Sequence, residues 1–126
     1  MSQEDRRLAR RSVCPLACTL DLIGDRWTLL VIRDLMVGKR QFKELTASPE
    51  RIATNILTNR LDRLQQQGLI ERRPSSEHAG RSTYHLTDKG RTLEPVMVAI
   101  TDWGLEYLEG TEVRVRPADP ADSASN

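Results

Sequence analysis

A chain of 126 residues with 38% apolar and only 4% aromatic residues closes one thin, aliphatic core, of the kind a small protein extends through a partner subunit. No stretch approaches the roughly 18 consecutive apolar residues of a membrane helix, residues 1–12 (MSQEDRRLARRS) do not resemble a signal peptide, and two cysteines cannot frame a disulfide scaffold; a cytoplasmic protein is expected. The net charge of +1 is unevenly spread: residues 39–93 carry eleven basic and six acidic groups, while residues 94–126 carry two and seven. A polyanion-binding face on a near-neutral protein produces this asymmetry, and so does an ordinary solvated surface.

Residues 1–12 form a basic arm. Pro15 suits the first position of a helix that runs to Ile23 and stops at Gly24, and Asp25 can cap a second helix reaching about Val37. Trp27, Leu30, Val31, Ile32, Leu35 and Met36 give that second helix an apolar surface broad enough to be central. A short segment, QFKELTAS, follows with Phe42 and Leu45 on one face, and Pro49 forces a bend through SPER.

The helix predicted from about Ala53 to Gln67 is the most informative. At 100° per residue, Ala53, Leu57, Leu61 and Leu64 share one face with Ile56 at its edge, while Asn55, Asn59, Asp62 and Gln66 lie opposite, flanked by Thr58 and Arg63. Asparagine and threonine are mediocre helix formers, so exposing them gains nothing in stability over Lys, Glu or Ala. They can, however, read base edges: an amide donates to and accepts from adenine, and threonine offers a hydroxyl and a methyl. An ordinary polar face remains the alternative.

Two strand-like runs, LIERR and STYHLT, come next around the loop PSSEHAGRS, with Tyr84 and Leu86 facing one way and Thr83 and His85 the other. Short helix, bend, amphipathic helix and hairpin is the order of a winged helix-turn-helix, a mainly α fold with a small β wing. In that architecture the second helix enters the major groove and the wing approaches the neighbouring minor groove. Arg81, beside Gly80, is expected on the DNA side of the wing with His78 and Ser82, because a narrow minor groove attracts arginine. Lys39, Arg40, Lys43 and Arg51 are expected as phosphate contacts that set register. In the last helix, capped by Thr87, the residues Leu93, Val96, Met97, Ile100, Trp103, Tyr107 and Leu108 follow helical spacing. This stripe exceeds what one small core needs and predicts dimerisation; the alternative is that the helix folds back on its own domain. Residues 111–126 read as a disordered acidic tail.

Four segments, CPLACTLDLIGDRWTLLVIRDLMVGKRQFKEL, RIATNILTNRLDRLQQQGLI, YHLTDKG and LEPVMVAITDWG, together cover most of residues 14–104 and resemble the HxlR-type winged helix-turn-helix regulators, relatives of the MarR type. The resemblance implies a homodimer joined by terminal helices that binds a pseudo-palindromic operator as repressor or activator. It places Thr54, Asn55, Thr58 and Asn59 in the recognition-helix segment, with Arg63 beside them, and matches Cys14 to a cysteine from which some members sense oxidants or electrophiles. Ala53 departs from the capping serine of many members, which leaves Thr54 to serve the helix start. At a helix N-terminus Cys14 would face the positive end of the peptide dipoles, which suits a sensor; simple packing of both thiols, with Cys18 the deeper, is the competing account.

Other classes have less support. Cys14, Cys18, His78 and His85 have the wrong spacing for a zinc finger, and no cofactor motif is present. The chain lacks a Walker loop, a GxSxG elbow, an HExxH helix and a GxGxxG turn, so an enzyme is not expected. A protein-binding adaptor built on the same fold is the remaining alternative.

Overall fold

The computed structural model describes residues 12–114. In chain order it contains α1 (Pro15–Ile23), α2 (Thr28–Met36), α3 (Phe42–Thr46), α4 (Thr54–Gln66), β1 (Ile70–Pro74), β2 (Ser82–Leu86), α5 (Asp88–Arg91) and α6 (Glu94–Tyr107). Of the expected arm at 1–12 only Ser12 is described, and residues 115–126 of the expected tail at 111–126 lie outside the described residues. Residues 111–114 are in place, where the Thr111 hydroxyl donates to the carbonyl oxygens of Leu108 at 2.8 Å and Gly104 at 3.2 Å.

The core is aliphatic. Val31, Ile32 and Leu35 of α2 meet Leu45 of α3, the Leu57, Leu61 and Leu64 stripe of α4, and Leu69, Ile70 and Leu86 at the base of the hairpin. Ile32 and Leu57 are wholly buried, and each contributes about 1.5–3 kcal/mol by leaving water. The stripe on α4 is what fixes the helix's rotation, so the opposite face is left to solvent. Ala53 does not join that stripe: it is exposed and precedes the helix in extended backbone, with no side-chain cap from Ala53 and none supplied by Thr54.

Helix α4 ends in a defined closure. Gly68 takes a φ of 72°, its N–H donates to the Gln65 carbonyl at 3.0 Å, and the Leu69 N–H reaches back to the Leu64 carbonyl at 3.0 Å. This pairing satisfies the last carbonyls and packs Leu69 against Leu64, and it needs a residue without a Cβ at the left-handed position. The chain therefore turns directly from α4 into β1.

Strands β1 and β2 pair antiparallel from Ile70↔Leu86 to Pro74↔Ser82. The strands thus include Pro74 and Ser82, and the loop is the seven residues Ser75–Arg81 rather than nine. A bridge between Gln41 and Thr83, with the Tyr84 N–H donating to the Arg40 carbonyl at 2.8 Å, stitches the segment before α3 to the wing. That third, one-residue strand was not legible in the pattern of residues.

The C-terminal helix is two helices. Thr87 caps only α5, its hydroxyl accepting from the Gly90 N–H at 3.0 Å, and the chain restarts at Glu94 with Pro95 in the first turn of α6. Proline has no N–H to extend the earlier ladder, so the break falls there. Consequently Leu93 and Met97 turn inward and pack against the core, while Val96, Ile100, Trp103, Tyr107 and Leu108 remain exposed. The expected dimer stripe is therefore divided between core and surface.

Candidate nucleic-acid interface

The two helices of the turn are held by ion pairs that originate on α2. Arg33 forks onto Glu50, with Nη2 2.6 Å from Oε1 and Nη1 2.9 Å from Oε2, and its Nε and Nη2 donate to Asp34 Oδ1 at 3.1 and 2.9 Å. Asp34 is buried and also accepts from the Ser48 hydroxyl, which in turn accepts from Lys39 Nζ at 2.9 Å. The bend that separates α3 from α4 is thereby fastened at Ser48 and Glu50 to the central helix. Within it Arg51 takes a φ of 58°, a conformation that costs a non-glycine residue energy and that the surrounding pairs maintain.

This network changes two of the expected phosphate contacts. Lys39 is directed at Ser48 and lies 4.0 Å from Asp34, and Arg40 donates through Nη1 to the carbonyls of Leu35 at 2.6 Å and Lys39 at 2.8 Å. Both side chains are committed to the protein because a buried carboxylate and unpaired carbonyls demand donors. Lys43 and Arg51, by contrast, are exposed and have no ion-pair partner among the described residues.

On α4 the residues Thr54, Asn55, Thr58 and Asn59 are all exposed, and Arg63 is half-buried one turn further along. The Thr58 hydroxyl donates to the Thr54 carbonyl at 2.9 Å, which leaves its oxygen lone pair and methyl outward. Asn59 Oδ1 accepts from Arg60 Nη1 at 2.5 Å, and Arg60 Nε donates to Asp25 Oδ2 at 2.7 Å. Asp25 accepts further from the N–H groups of Trp27 at 3.0 Å and Thr28 at 3.2 Å and from the Thr28 hydroxyl. Burial pushes the Asp25 carboxyl upward, but the hydrogen bonds from Thr28, Arg60 and Trp27 and the charge of Arg60 outweigh it and hold the group well below the usual carboxylate range. Asp25 thus accepts from N–H groups at the start of α2, where Trp27 and not Asp25 holds the N-cap position, and ties that end to α4; only the local contact was legible from spacing, since Arg60 lies 35 positions away.

In the wing His78, Gly80 and Arg81 sit at the exposed loop, closed by the Ser75 N–H to the Arg81 carbonyl at 2.9 Å. Ser82 is half-buried and its hydroxyl accepts from Arg72 Nε at 2.7 Å, so it is less available than expected and Arg72 is an exposed wing cation that spacing did not single out. On the opposite face of the hairpin His85 pairs with Thr83 at 2.8 Å, and burial together with nearby Arg73 and Arg40 pushes its imidazole below the ordinary histidine value.

A short helix fastened through a tight bend to a second helix with an outward polar face, beside a basic hairpin, defines a winged helix-turn-helix of the DNA-binding transcriptional-regulator class. The chain belongs to the HxlR-like helix-turn-helix family, whose model matches residues 22–112. It is 37% identical over 96 residues to the uncharacterized HTH-type transcriptional regulator YdeP of Bacillus subtilis, spanning 76% of this chain and 75% of that protein. Its fold is similar to the reduced form of the transcriptional regulator YodB from B. subtilis, with a TM-score of 0.66 and 32% identity over 80% of this chain and 100% of that one. It is also similar to the redox regulator HypR in its reduced form, with a TM-score of 0.68 and 31% identity over 76% of this chain and 95% of that one. Among the described residues no helix is long and apolar enough to cross a membrane.

Proposed function

We propose that the protein acts in the cytoplasm, without catalytic activity, as a homodimer on a pseudo-palindromic operator, with α1 and α6 forming the seam and one α4 entering each of two major-groove faces. The coexistence of an outward polar face on α4 with uncovered apolar faces on α1 and α6 carries this reading. Leu16, Trp103 and Tyr107 are 68%, 60% and 66% exposed, and the Trp103 and Tyr107 rings lie 5.2 Å apart as one apolar surface. An open groove of about 320 Å³ between α2 and α6, lined by Leu29, Leu30, Met97, Val98 and Ile100 among others, continues it. Faces of this kind mark association surfaces rather than a solvated exterior.

Thr54, Asn55, Thr58, Asn59 and Arg63 are assigned to the bases and flanking sugars, Lys43 and Arg51 to phosphates, and Arg81 with His78 and Arg72 to the minor groove. Lys39 and Arg40 are assigned to holding the turn, and Ser82 to orienting Arg72. Selection of binding sites from randomised duplex DNA, followed by titration across salt concentrations and sedimentation of the complex, tests the reading. Two half-sites one helical turn or a multiple apart, two protomers per site and a steep loss of affinity with salt are expected. A salt-insensitive monomer that selects no sequence would replace it with the adaptor.

Control by oxidants or electrophiles through Cys14 is a second reading, favoured by one observation: Cys14 is exposed at the start of α1, where its thiol has access to solvent beside the proposed seam. The likeness to a redox regulator supports it. Modification there would add bulk at the contact of two subunits and alter the separation of their recognition helices.

A further inference from the structure

We propose that Asp62, on the outward face of α4, is a specificity-determining residue that admits cytosine and penalises guanine or thymine at one position of each half-site. This rests on the reading that α4 enters the major groove.

The fold treats the three carboxylates between Phe42 and Gln66 differently. Glu44 Oε1 accepts from the N–H groups of Arg40 at 3.2 Å and Gln41 at 3.0 Å, and Glu50 is held in the fork of Arg33. Asp62 is exposed and has no side-chain partner among the described residues. Its neighbours three and four positions away are Thr58, Asn59, Gln65 and Gln66, none of them a cation, so no ion pair along the helix compensates it. Arg60 is turned away to Asp25 and Asn59. Asp62 shares its face with Asn55, Asn59 and Gln66, opposite the buried Leu57, Leu61 and Leu64. It stands about 10 Å along the helix from Asn55, so a helix laid in the groove by Asn55 and Asn59 carries the carboxylate in with them.

A carboxylate only accepts hydrogen bonds. Among phosphates and the acceptors of the groove it raises the energy of the complex unless a donor meets it, and the base-edge donors there are the amino groups of cytosine N4 and adenine N6. Adenine sets its N7 acceptor beside that amino group, whereas cytosine offers the amino group with no acceptor of its own and is the better partner. Guanine, with O6 and N7, and thymine, with O4, offer no donor at all. The amides of Asn55, Asn59 and Gln66 both donate and accept, so they adapt to several base edges. Asp62 cannot adapt, and it contributes specificity chiefly by penalising the wrong base.

The test is selection from randomised duplex DNA with the full-length wild type, Asp62→Asn and Asn55→Ala, followed by titration of the selected site and of the same site with guanine in place of the cytosine. The wild type should select cytosine at one position of each half-site and bind the guanine version about tenfold more weakly. Asp62→Asn keeps the shape, loses the charge and gains a donor; it should narrow that ratio to within about threefold, mainly by binding the guanine version more tightly. A merely structural role would weaken binding to both sites, which overturns the inference. Equal tightening on both sites, with every preference unmoved, places the carboxylate against phosphates and overturns it as well. No change on either site overturns it too, and the groove reading survives if Asn55→Ala still flattens a position. If neither variant alters any position, α4 does not read bases and both readings fall.

Discussion

Arg33 holds Glu50 through two parallel hydrogen bonds of 2.6 and 2.9 Å, and this pair fastens the bend before α4 to the central helix α2. Because both groups are partly shielded from solvent, Glu50→Ala should cost about 1–2 kcal/mol at neutral pH, between the values of exposed and fully buried pairs. The hydrogen bond from Arg33 lowers the Glu50 carboxyl against the opposing effect of burial, and Asp25 is also lowered. A folded-state value below the unfolded one means that the unfolded chain binds more protons as pH falls. The stabilisation is therefore complete above the unfolded carboxylate range of about 4 to 4.5 and is lost as pH drops through the lower folded values. Urea midpoints measured between pH 7 and 2 should fall less steeply for Glu50→Gln and Asp25→Asn than for the wild type; parallel curves would contradict the assignment.

Lysines four residues apart should behave differently. Lys43 is exposed, so Lys43→Ala should weaken DNA binding on all sequences and reduce the slope of log affinity against log salt by roughly one unit. Lys39 is engaged by Ser48 and Asp34, so Lys39→Ala should lower the melting temperature and leave the salt slope near its wild-type value. Equal slopes for both variants, each one unit below wild type, would return Lys39 to the phosphate backbone.

The division of α6 between core and surface predicts opposite phenotypes from neighbouring positions. Met97→Ala removes packing against the core and should destabilise the protomer by about 1–2 kcal/mol without dissociating the dimer. Trp103→Asp places a charge on an apolar face that is uncovered in one chain and should yield monomers in sedimentation at micromolar concentration, with circular dichroism unchanged. A Trp103→Asp protein that remains dimeric would move the seam elsewhere.

Cys14 and Cys18 are separated by one helical turn and differ in surroundings. Cys14 is exposed, whereas Cys18 is half-buried with Sγ 3.1 Å from the Ser12 carbonyl. Treatment with peroxide or a quinone should change operator affinity of the wild type and of Cys18→Ser by about tenfold, equivalent to about 1.4 kcal/mol of coupling, and leave Cys14→Ser unaffected. Unchanged wild-type affinity after modification of Cys14 has been verified by mass spectrometry would leave that thiol without a regulatory role.

The order of elements, the rotation of α4 and the faces of the hairpin follow from periodicity and from punctuation at Pro15, Gly24, Pro49 and Gly68, all of which act within a few residues. The division at Pro95 was also within reach of the sequence, since a proline inside a helical pattern marks a restart. Which cations face outward, by contrast, depends on contacts between segments far apart in the chain. Lys39 and Arg40 look like Lys43 in a list of basic residues, yet a buried Asp34 and the carbonyls at the end of α2 claim them. The same holds for Asp25, which reaches Arg60, and through it Asn59, across 35 positions of chain. Such pairings depend on which helix faces meet once the aliphatic core closes, and no local pattern encodes that meeting.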